Sequence, residues 1–495
     1  MSQREDHTDS APTSSDHPVP NMARRKAIGT LGRTIAALAV ATVADLPGKA
    51  GASTLGGQRI DDGQPVVLSK QRLDTLAQQF YTVFNEGEVL PSFSEGDHAA
   101  RYDIELRRIT TYTHIPETGE RIKVSGLLAT PSGLRGPLPV VSWQHGTILS
   151  FDQVPSNLMR LADPQDKLQD GVDSLETLFI LHRLAAQGYV VIAADYLGKG
   201  PYRDGRNEAY AVRAATVQCC HDVLDAGMSM LEPLGIHPSS LLLNGWSQGA
   251  LNSQWLGLEL HRRGIRVDAV AAASPFNNLP DSLRYWCGSL NFSSSGAEPY
   301  PAVPAWMTPC LVILLGSYRT YYKVPDLFDT AIRSEHRAFA EAYWHDYVLD
   351  AKIQDDMPTA SAFFVDGFFE RFTAPSNTSF LSHLARNSTI YTQFEMPVSF
   401  YFGTADEALP PQLVQMALAT GGRNMRGVQV QNASHRATFL SSLYGGGDAM
   451  GHAETVPEWF DGIRKVSIRR GPRFRPPERS ATGVSSSREA IAPAC

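Results

Sequence analysis

The chain has 495 residues, 43% of them hydrophobic and 19% charged, with a net charge of −7. That is the composition of a globular chain with ample length for a large core, arranged as one large domain with an insertion or as two domains. The mild acidity argues against a nucleic-acid binder, which needs a basic surface, and no apolar run approaches the length of a bilayer span.

Residues 1–21 are polar and read as disordered. Arg24-Arg25-Lys26, a mildly apolar stretch from Ile35 to Ala44, and Ala50-Gly51-Ala52 follow. Positive charge, a short apolar run and small residues, in that order, read as a secretory signal. The paired arginines, the weak hydrophobicity and Lys49 point to the twin-arginine route, with Met22 as an alternative start. The mature protein then begins near Ser53 and works in the periplasm or outside the cell. A short amphipathic surface helix is the other reading of this stretch.

Residues 53–95 form a lead-in with one helix, Ser69 to Asn85. Strands are predicted over Tyr102 to Thr113, Arg121 to Thr130 and Leu138 to Trp143, and a helix over Ser174 to Gln187. Tyr189 to Asp195 is a continuous apolar run of the buried parallel-strand type. A long helix is predicted from Glu208 to Leu234. The apolar run Leu241-Leu242-Leu243-Asn244 and a helix from Ala250 to Arg263 come next, then a strand over Val267 to Ala273. This alternation predicts an α/β fold, a mostly parallel sheet with helices on both faces.

Between 276 and 395 the buried-strand pattern stops. The segment is rich in aromatics, among them Tyr285, Trp286, Tyr318, Trp344, Phe363, Phe364, Phe368 and Phe369, with helical patterns over Asp326 to Val348 and Ser376 to Arg386. It reads as a mainly helical cap inserted between two strands of the core. The α/β pattern resumes with a strand over Met396 to Phe402, a helix over Pro410 to Thr420, a strand over Gly427 to Gln431 and a helix over His435 to Leu443. The predicted organisation is a leader (1–52), a core (53–275), a cap (276–395), a second part of the core (396–463) and a disordered, Arg- and Pro-rich tail (464–495).

Five cysteines are present and none has a metal-ligand spacing. Cys287 and Cys310 are the candidate disulfide, whose closed loop would stabilise by about 3 kcal/mol on the chain-entropy model. Cys219 and Cys220 lie in a helical pattern and read as buried thiols, and Cys495 as a free thiol in the tail.

The chemistry is carried by Gly245-Trp246-Ser247-Gln248-Gly249, a G-x-S-x-G between a predicted strand and a predicted helix. A strand that turns sharply into a helix leaves no room for side chains two residues either side of the turn. Glycines there relieve the clash and leave Ser247 exposed at the top of the sheet. A weak nucleophile needs a base, and the base an orienting carboxylate, here in the chain order Ser, acid, His. Asp406 follows the strand through Gly403-Thr404-Ala405, at the carboxyl end where sites gather in open α/β sheets. His435 follows the next strand through Asn432-Ala433-Ser434. His452, in a Gly-rich loop without a preceding strand, is the runner-up base.

An oxyanion needs two donors. The N–H of Gln248, at the start of the helix, is one. The N–H of Thr147, in the loop His145-Gly146-Thr147 after an early strand, is the other. His145 is expected to brace that loop, since it precedes the nucleophile in the chain.

Together with Asp195-Tyr196-Leu197-Gly198-Lys199-Gly200, these motifs make the chain, over roughly 100–460, resemble the α/β-hydrolase superfamily. It is similar above all to the secreted lipase and carboxylesterase branch with a helical lid, akin to fungal secretory lipases. Trp246 and Gln248 stand where those lipases more often carry Tyr and Gly. The resemblance implies cleavage of a small-molecule or lipid ester through an acyl-enzyme on Ser247, with no metal or cofactor. A serine peptidase or an acyltransferase of the same fold is the alternative; no propeller repeat of the prolyl-peptidase kind is present. A non-catalytic binding protein of this fold is the third class, disfavoured by an intact Ser, Asp and His in order. The oligomeric state is not legible.

Overall fold

Nine strands build one sheet: β1 Val66–Leu68, β2 Ile104–His114, β3 Arg121–Pro131, β4 Gly136–Gln144, β5 Val190–Ala194, β6 Ile236–Trp246, β7 Ala269–Ala273, β8 Val398–Gly403 and β9 Met425–Val430. Their order is β1-β2-β3-β5-β4-β6-β7-β8-β9. The first three and β5 pair antiparallel, whereas β5-β4-β6-β7-β8-β9 run parallel. This computed structural model describes residues 64–85, 93–169, 173–292, 301–348, 357–369, 375–446 and 454–469, all within one compact unit. The leader, His452 and Cys495 lie outside the described residues.

The longer helices are α1 Lys70–Phe84, α2 Leu175–Arg183, α3 Arg213–Ser229, α4 Gln248–Arg262, α5 Leu279–Trp286, α6 Met307–Tyr321, α7 Arg337–Asp346, α8 Pro375–Asn387, α9 Pro411–Thr420, α10 His435–Tyr444 and α11 Val456–Arg469. Helices cover both faces of the sheet, so its central strands are apolar on both sides. Val140, Ile192, Leu243 and Val270 point into one core layer with Val223, Leu251 and Trp255 of α3 and α4. Their neighbours Val141, Val191, Leu242 and Ala271 point into the other, with Leu73, Phe179, Phe439 and Phe460 of α1, α2, α10 and α11. The two-residue period of a strand sorts adjacent residues into opposite layers.

The longer helices α5 to α8, with the short helices Leu327–Ala331 and Ala360–Phe363, lie between β7 and β8 and form the expected insertion. Within it Phe363, Phe364, Phe368, Phe369 and Phe380 are buried against one another and Tyr318. These phenylalanines are the insertion's own core.

Several boundaries differ from expectation. The helix predicted from Glu208 begins at Arg213, because Glu208 and Tyr210 are held by tertiary contacts and Ala211 sits at φ +52°. Past Ser229 the chain tightens into a short turn at Glu232–Leu234 and ends at Gly235, φ +66°. The helix predicted over Asp326 to Val348 is broken at Ile332, which bridges to Phe364. The first residues of the tail predicted as disordered from 464 are helical, since α11 runs to Arg469, and Arg464 bonds Asp461 and lies over the Tyr189 ring; the rest of the tail lies outside the described residues. No helix among the described residues is long and apolar enough to cross a membrane.

The disulfide expectation is corrected. Cys287 and Cys310 are both free, as are the buried Cys219 and Cys220 of α3. Cys287 caps the end of α5. Cys310 lies inside α6, its thiol turned back to the Trp306 carbonyl at 3.4 Å. Alkylation of the unfolded protein without reductant should label both Cys287 and Cys310, read by peptide mass spectrometry; a disulfide-linked peptide pair would contradict the structure.

Candidate active site

The turn from β6 into α4 is unusually tight. Ser247 adopts φ +56° and ψ −119°, a region that costs a residue with a Cβ on the order of 1–3 kcal/mol. The strain is held by close packing on both sides. A Cβ on Gly249 would collide with the Gln144 carbonyl at the end of β4, and one on Gly245 with the Gly249 carbonyl. The Ser247 N–H is anchored to the Ala273 carbonyl of β7 at 2.9 Å. Ser247 is half-buried, while Gln248 and Gly249 beside it are buried.

Asp406 and His435 meet at the carboxyl ends of β8 and β9. His435 Nδ1 stands 3.0 Å and 3.1 Å from the two Asp406 carboxylate oxygens. Asp406 is fully buried and its oxygens also accept hydrogen bonds from backbone and side chain. The donors include the N–H groups of Ala408 (3.1 Å) and Leu409 (2.7 Å) and the Ser274 hydroxyl (2.7 Å). Ser434 caps α10 by accepting the Ala437 N–H, so the helix starts at His435 itself. The opposite edge of the imidazole is the one a hydroxyl nucleophile would use. Among the described residues no hydrogen bond joins it to Ser247, a contact that is often long before substrate arrives.

Trp246 connects the two halves of the site. Its indole lies 5.0 Å from the His435 ring, and its Nε1–H donates to the His435 carbonyl at 3.3 Å. Trp306, just before α6, approaches the same imidazole at 6.1 Å. Burial works against an imidazolium here, but the charges of Asp406 and Glu407 outweigh it and hold the His435 pKa above its ordinary value. Glu407 is close because its Oε2 accepts the His435 N–H at 3.0 Å. Burial, reinforced by the neighbouring Asp406 charge, pushes the Glu407 carboxyl up to about 7.

The loop after β4 is built to free one donor. The Gly146 N–H is committed to Glu176 Oε2 at 2.8 Å. Glu176 is buried in the first turn of α2, where desolvation raises its pKa to about 8 and favours the neutral acid. The Thr147 and Gln248 N–H groups carry no backbone partner among the described hydrogen bonds. Their side chains are both engaged: Thr147 Oγ1 lies 2.9 Å from Tyr210 Oη, and Gln248 Nε2 donates to Glu208 Oε1 at 2.7 Å. His145 is buried and stacked on Tyr196 at 3.9 Å, with Nδ1 2.8 Å from the Gly146 carbonyl. Burial lowers its pKa to about 4, and its contacts are those of a brace.

Ser247 borders a narrow cavity of about 10 Å³ lined chiefly by Phe276, Trp286, Trp306, Met307 and Leu409, with Thr147 and Tyr210 among its polar lining. Phe363, Phe364, Phe368 and Phe369 are absent from that lining. The phenylalanine run forms the insertion's core, and Trp286 and Trp306 are the tryptophans that line the cavity. Trp286 is fixed by its Nε1–H on the Ala408 carbonyl at 2.6 Å. Ser274, Glu176 and Glu407 are also missing from the sequence reading. Each acts through a contact distant in the chain or with a neighbouring loop, and none sits in a local motif. Among the described residues no group of three or more His, Cys, Asp or Glu side chains is placed to hold a metal ion.

No family model matches the chain, and no curated protein matches it. Solved structures do. The rice cell wall degrading esterase LipA from Xanthomonas oryzae is 20% identical, with a TM-score of 0.59 over 83% of this chain and 98% of that one. A putative hydrolase from Legionella pneumophila is 17% identical, with a TM-score of 0.61 over 83% and 99%. Candida antarctica lipase A is 14% identical, with a TM-score of 0.50 over 70% and 75%. With its sheet order, its helical insertion and these neighbours, the chain has the α/β-hydrolase fold of esterases and lipases.

Proposed function

We propose that the protein is a serine hydrolase that cleaves carboxylic esters through an acyl-enzyme on Ser247. The observation that carries this reading is the buried Asp406–His435 pair, beside the strained turn that presents Ser247. Ser247 Oγ attacks the ester carbonyl while His435 takes its proton. The same proton passes to the leaving alcohol. Asp406 holds the imidazole in the tautomer with Nδ1 protonated and balances the imidazolium charge. The N–H groups of Gln248 and Thr147 receive the oxyanion in the tetrahedral intermediate. Water, activated by His435, then releases the acid.

The narrowness of the apolar cavity beside Ser247 favours a short acyl chain over a long one. The fold's esterase and lipase neighbours support ester chemistry in general. The leader segment supports export, by the twin-arginine route, to the periplasm or beyond.

Ser247→Ala should lower turnover of p-nitrophenyl esters by roughly 10³-fold or more without moving the unfolding midpoint. His435→Ala and Asp406→Asn should cost a similar factor, and not additively. The wild-type panel should run from acetate through palmitate and include aminoacyl amides. Preference for acetate or butyrate fits the cavity, preference for palmitate makes it a lipase, and preference for the amides a peptidase. Undiminished turnover in Ser247→Ala sinks the nucleophile assignment.

A histidine acting as base must be neutral, so activity is lost as pH falls through its pKa. The raised value places the acidic limb of kcat/KM above the ordinary 6.5. Glu407→Gln keeps an acceptor for the His435 N–H but removes a negative charge, so the limb should move to lower pH. A pH–rate profile of the variant that overlays the parent's would remove Glu407 from the electrostatics of the base.

A further inference from the structure

Beneath the two oxyanion donors lies a second buried polar system that the triad does not use. Lys199 is 2% exposed and Glu208 1%. Lys199 Nζ stands 3.2 Å from Glu208 Oε2, 3.2 Å from the Ser150 carbonyl and 3.4 Å from the Ile148 carbonyl. Those carbonyls belong to the loop that carries Thr147. The other Glu208 oxygen accepts the side-chain amide of Gln248 at 2.7 Å. One buried ion pair thus reaches both donor residues, Thr147 through its loop and Gln248 through its side chain.

The helical insertion closes the same system. The Ser317 hydroxyl of α6 donates to the Glu208 carbonyl at 2.7 Å and accepts the Tyr210 N–H at 3.0 Å. Tyr210 Oη in turn lies 2.9 Å from Thr147 Oγ1. Tyr343 of α7 donates to the Leu149 carbonyl at 3.1 Å, and the Tyr347 ring covers the Lys199 ammonium at 4.2 Å. A buried ion pair adds little stability over an apolar pair of the same volume. What it has and an apolar pair lacks is direction: an ammonium that gathers carbonyls and a carboxylate that orients an amide.

We infer that Lys199 and Glu208 are positioning residues that set the oxyanion hole, and that they do so only when the insertion's Ser317, Tyr343 and Tyr347 are packed on them. The insertion then takes part in assembling the catalytic centre as well as in covering it. This rests on the reading of Ser247 as nucleophile, and the assay below includes Ser247→Ala to keep the two separate.

Removing one partner leaves a lone buried charge and can prevent folding. The informative protein is therefore the double variant K199M/E208M, which replaces the pair by apolar side chains of similar length. It should unfold near the parent midpoint while kcat for p-nitrophenyl butyrate falls roughly 10- to 100-fold, with KM changed by less than about twofold. Inhibition by phenylboronic acid, whose tetrahedral adduct fills the oxyanion hole, should weaken by a similar factor. Gln248→Leu, which keeps the backbone N–H but cuts the link to Glu208, should lower kcat and boronate affinity in the same sense. It carries the test alone if the double variant does not fold. Parent kcat and parent boronate affinity in a folded variant overturn the inference. If Ser247→Ala is dead in that assay, only the positioning role has failed; if it still turns over, the nucleophile reading has failed.

Discussion

The contact on which the site depends is the one between the Gly249 backbone and the Gln144 carbonyl, where α4 starts against the end of β4. It permits β6 to turn into α4 within a single residue, and that residue is Ser247 in a left-handed conformation. It also fixes where β4 ends and hence where the His145-Gly146-Thr147 loop begins. Ser247 and the His145-Gly146-Thr147 loop are consequently set by one junction between two neighbouring parallel strands. The Asp406 and His435 loops come from β8 and β9, separated from β6 by β7. Two contacts across that gap complete the register: Ser274, at the end of β7, donates to Asp406, and Trp246 donates to the His435 carbonyl.

Buried charge is distributed around this junction with different outcomes. Asp406 is buried yet surrounded by donors. Glu176 receives a single backbone N–H, and burial pushes it toward the neutral acid. Glu208 is paired with Lys199. Glu407 stands between these cases, half-buried beside the charge of Asp406. Four carboxyl groups within one site thus differ in the donors and charges that surround them.

Much of this was legible in the sequence because the governing signals are local. G-x-S-x-G between an apolar run and a helical pattern, Asp406 just past Val398 to Phe402, and His435 just past Gly427 to Gln431 are all read from neighbours in the chain. The alternation of strand and helix likewise predicts the mostly parallel sheet. What escaped has no local signature. α6 is buried continuously from Met307 to Tyr318, so it shows no amphipathic period. β1 is three residues long and is defined by its partner β2. Ser274 follows an alanine-rich strand like any turn serine, and only the fold brings it to Asp406. Lys199 and Glu208 are nine residues apart in an irregular loop, and their pairing is a property of the folded chain.

The continuous burial of α6 also limits how substrate enters. A helix buried on every side from Met307 to Tyr318, packed within the insertion and bonded to the Glu208 and Ala211 carbonyls, cannot swing out as a rigid flap without wetting its whole circumference. At about 25 cal/mol per Å² of apolar surface that opposes any wholesale opening of the insertion. The segment leading into the helix differs: Pro301, Ala302 and Ala305 are exposed, and Trp306 is half-buried at the mouth of the cavity. Admission at this doorway is a matter of rotating a side chain and shifting a short lead-in. On the proposed reading of Ser247 as nucleophile, the rate at which substrate reaches it is then tied to the freedom of one indole ring, while the mass of the insertion stays where it is.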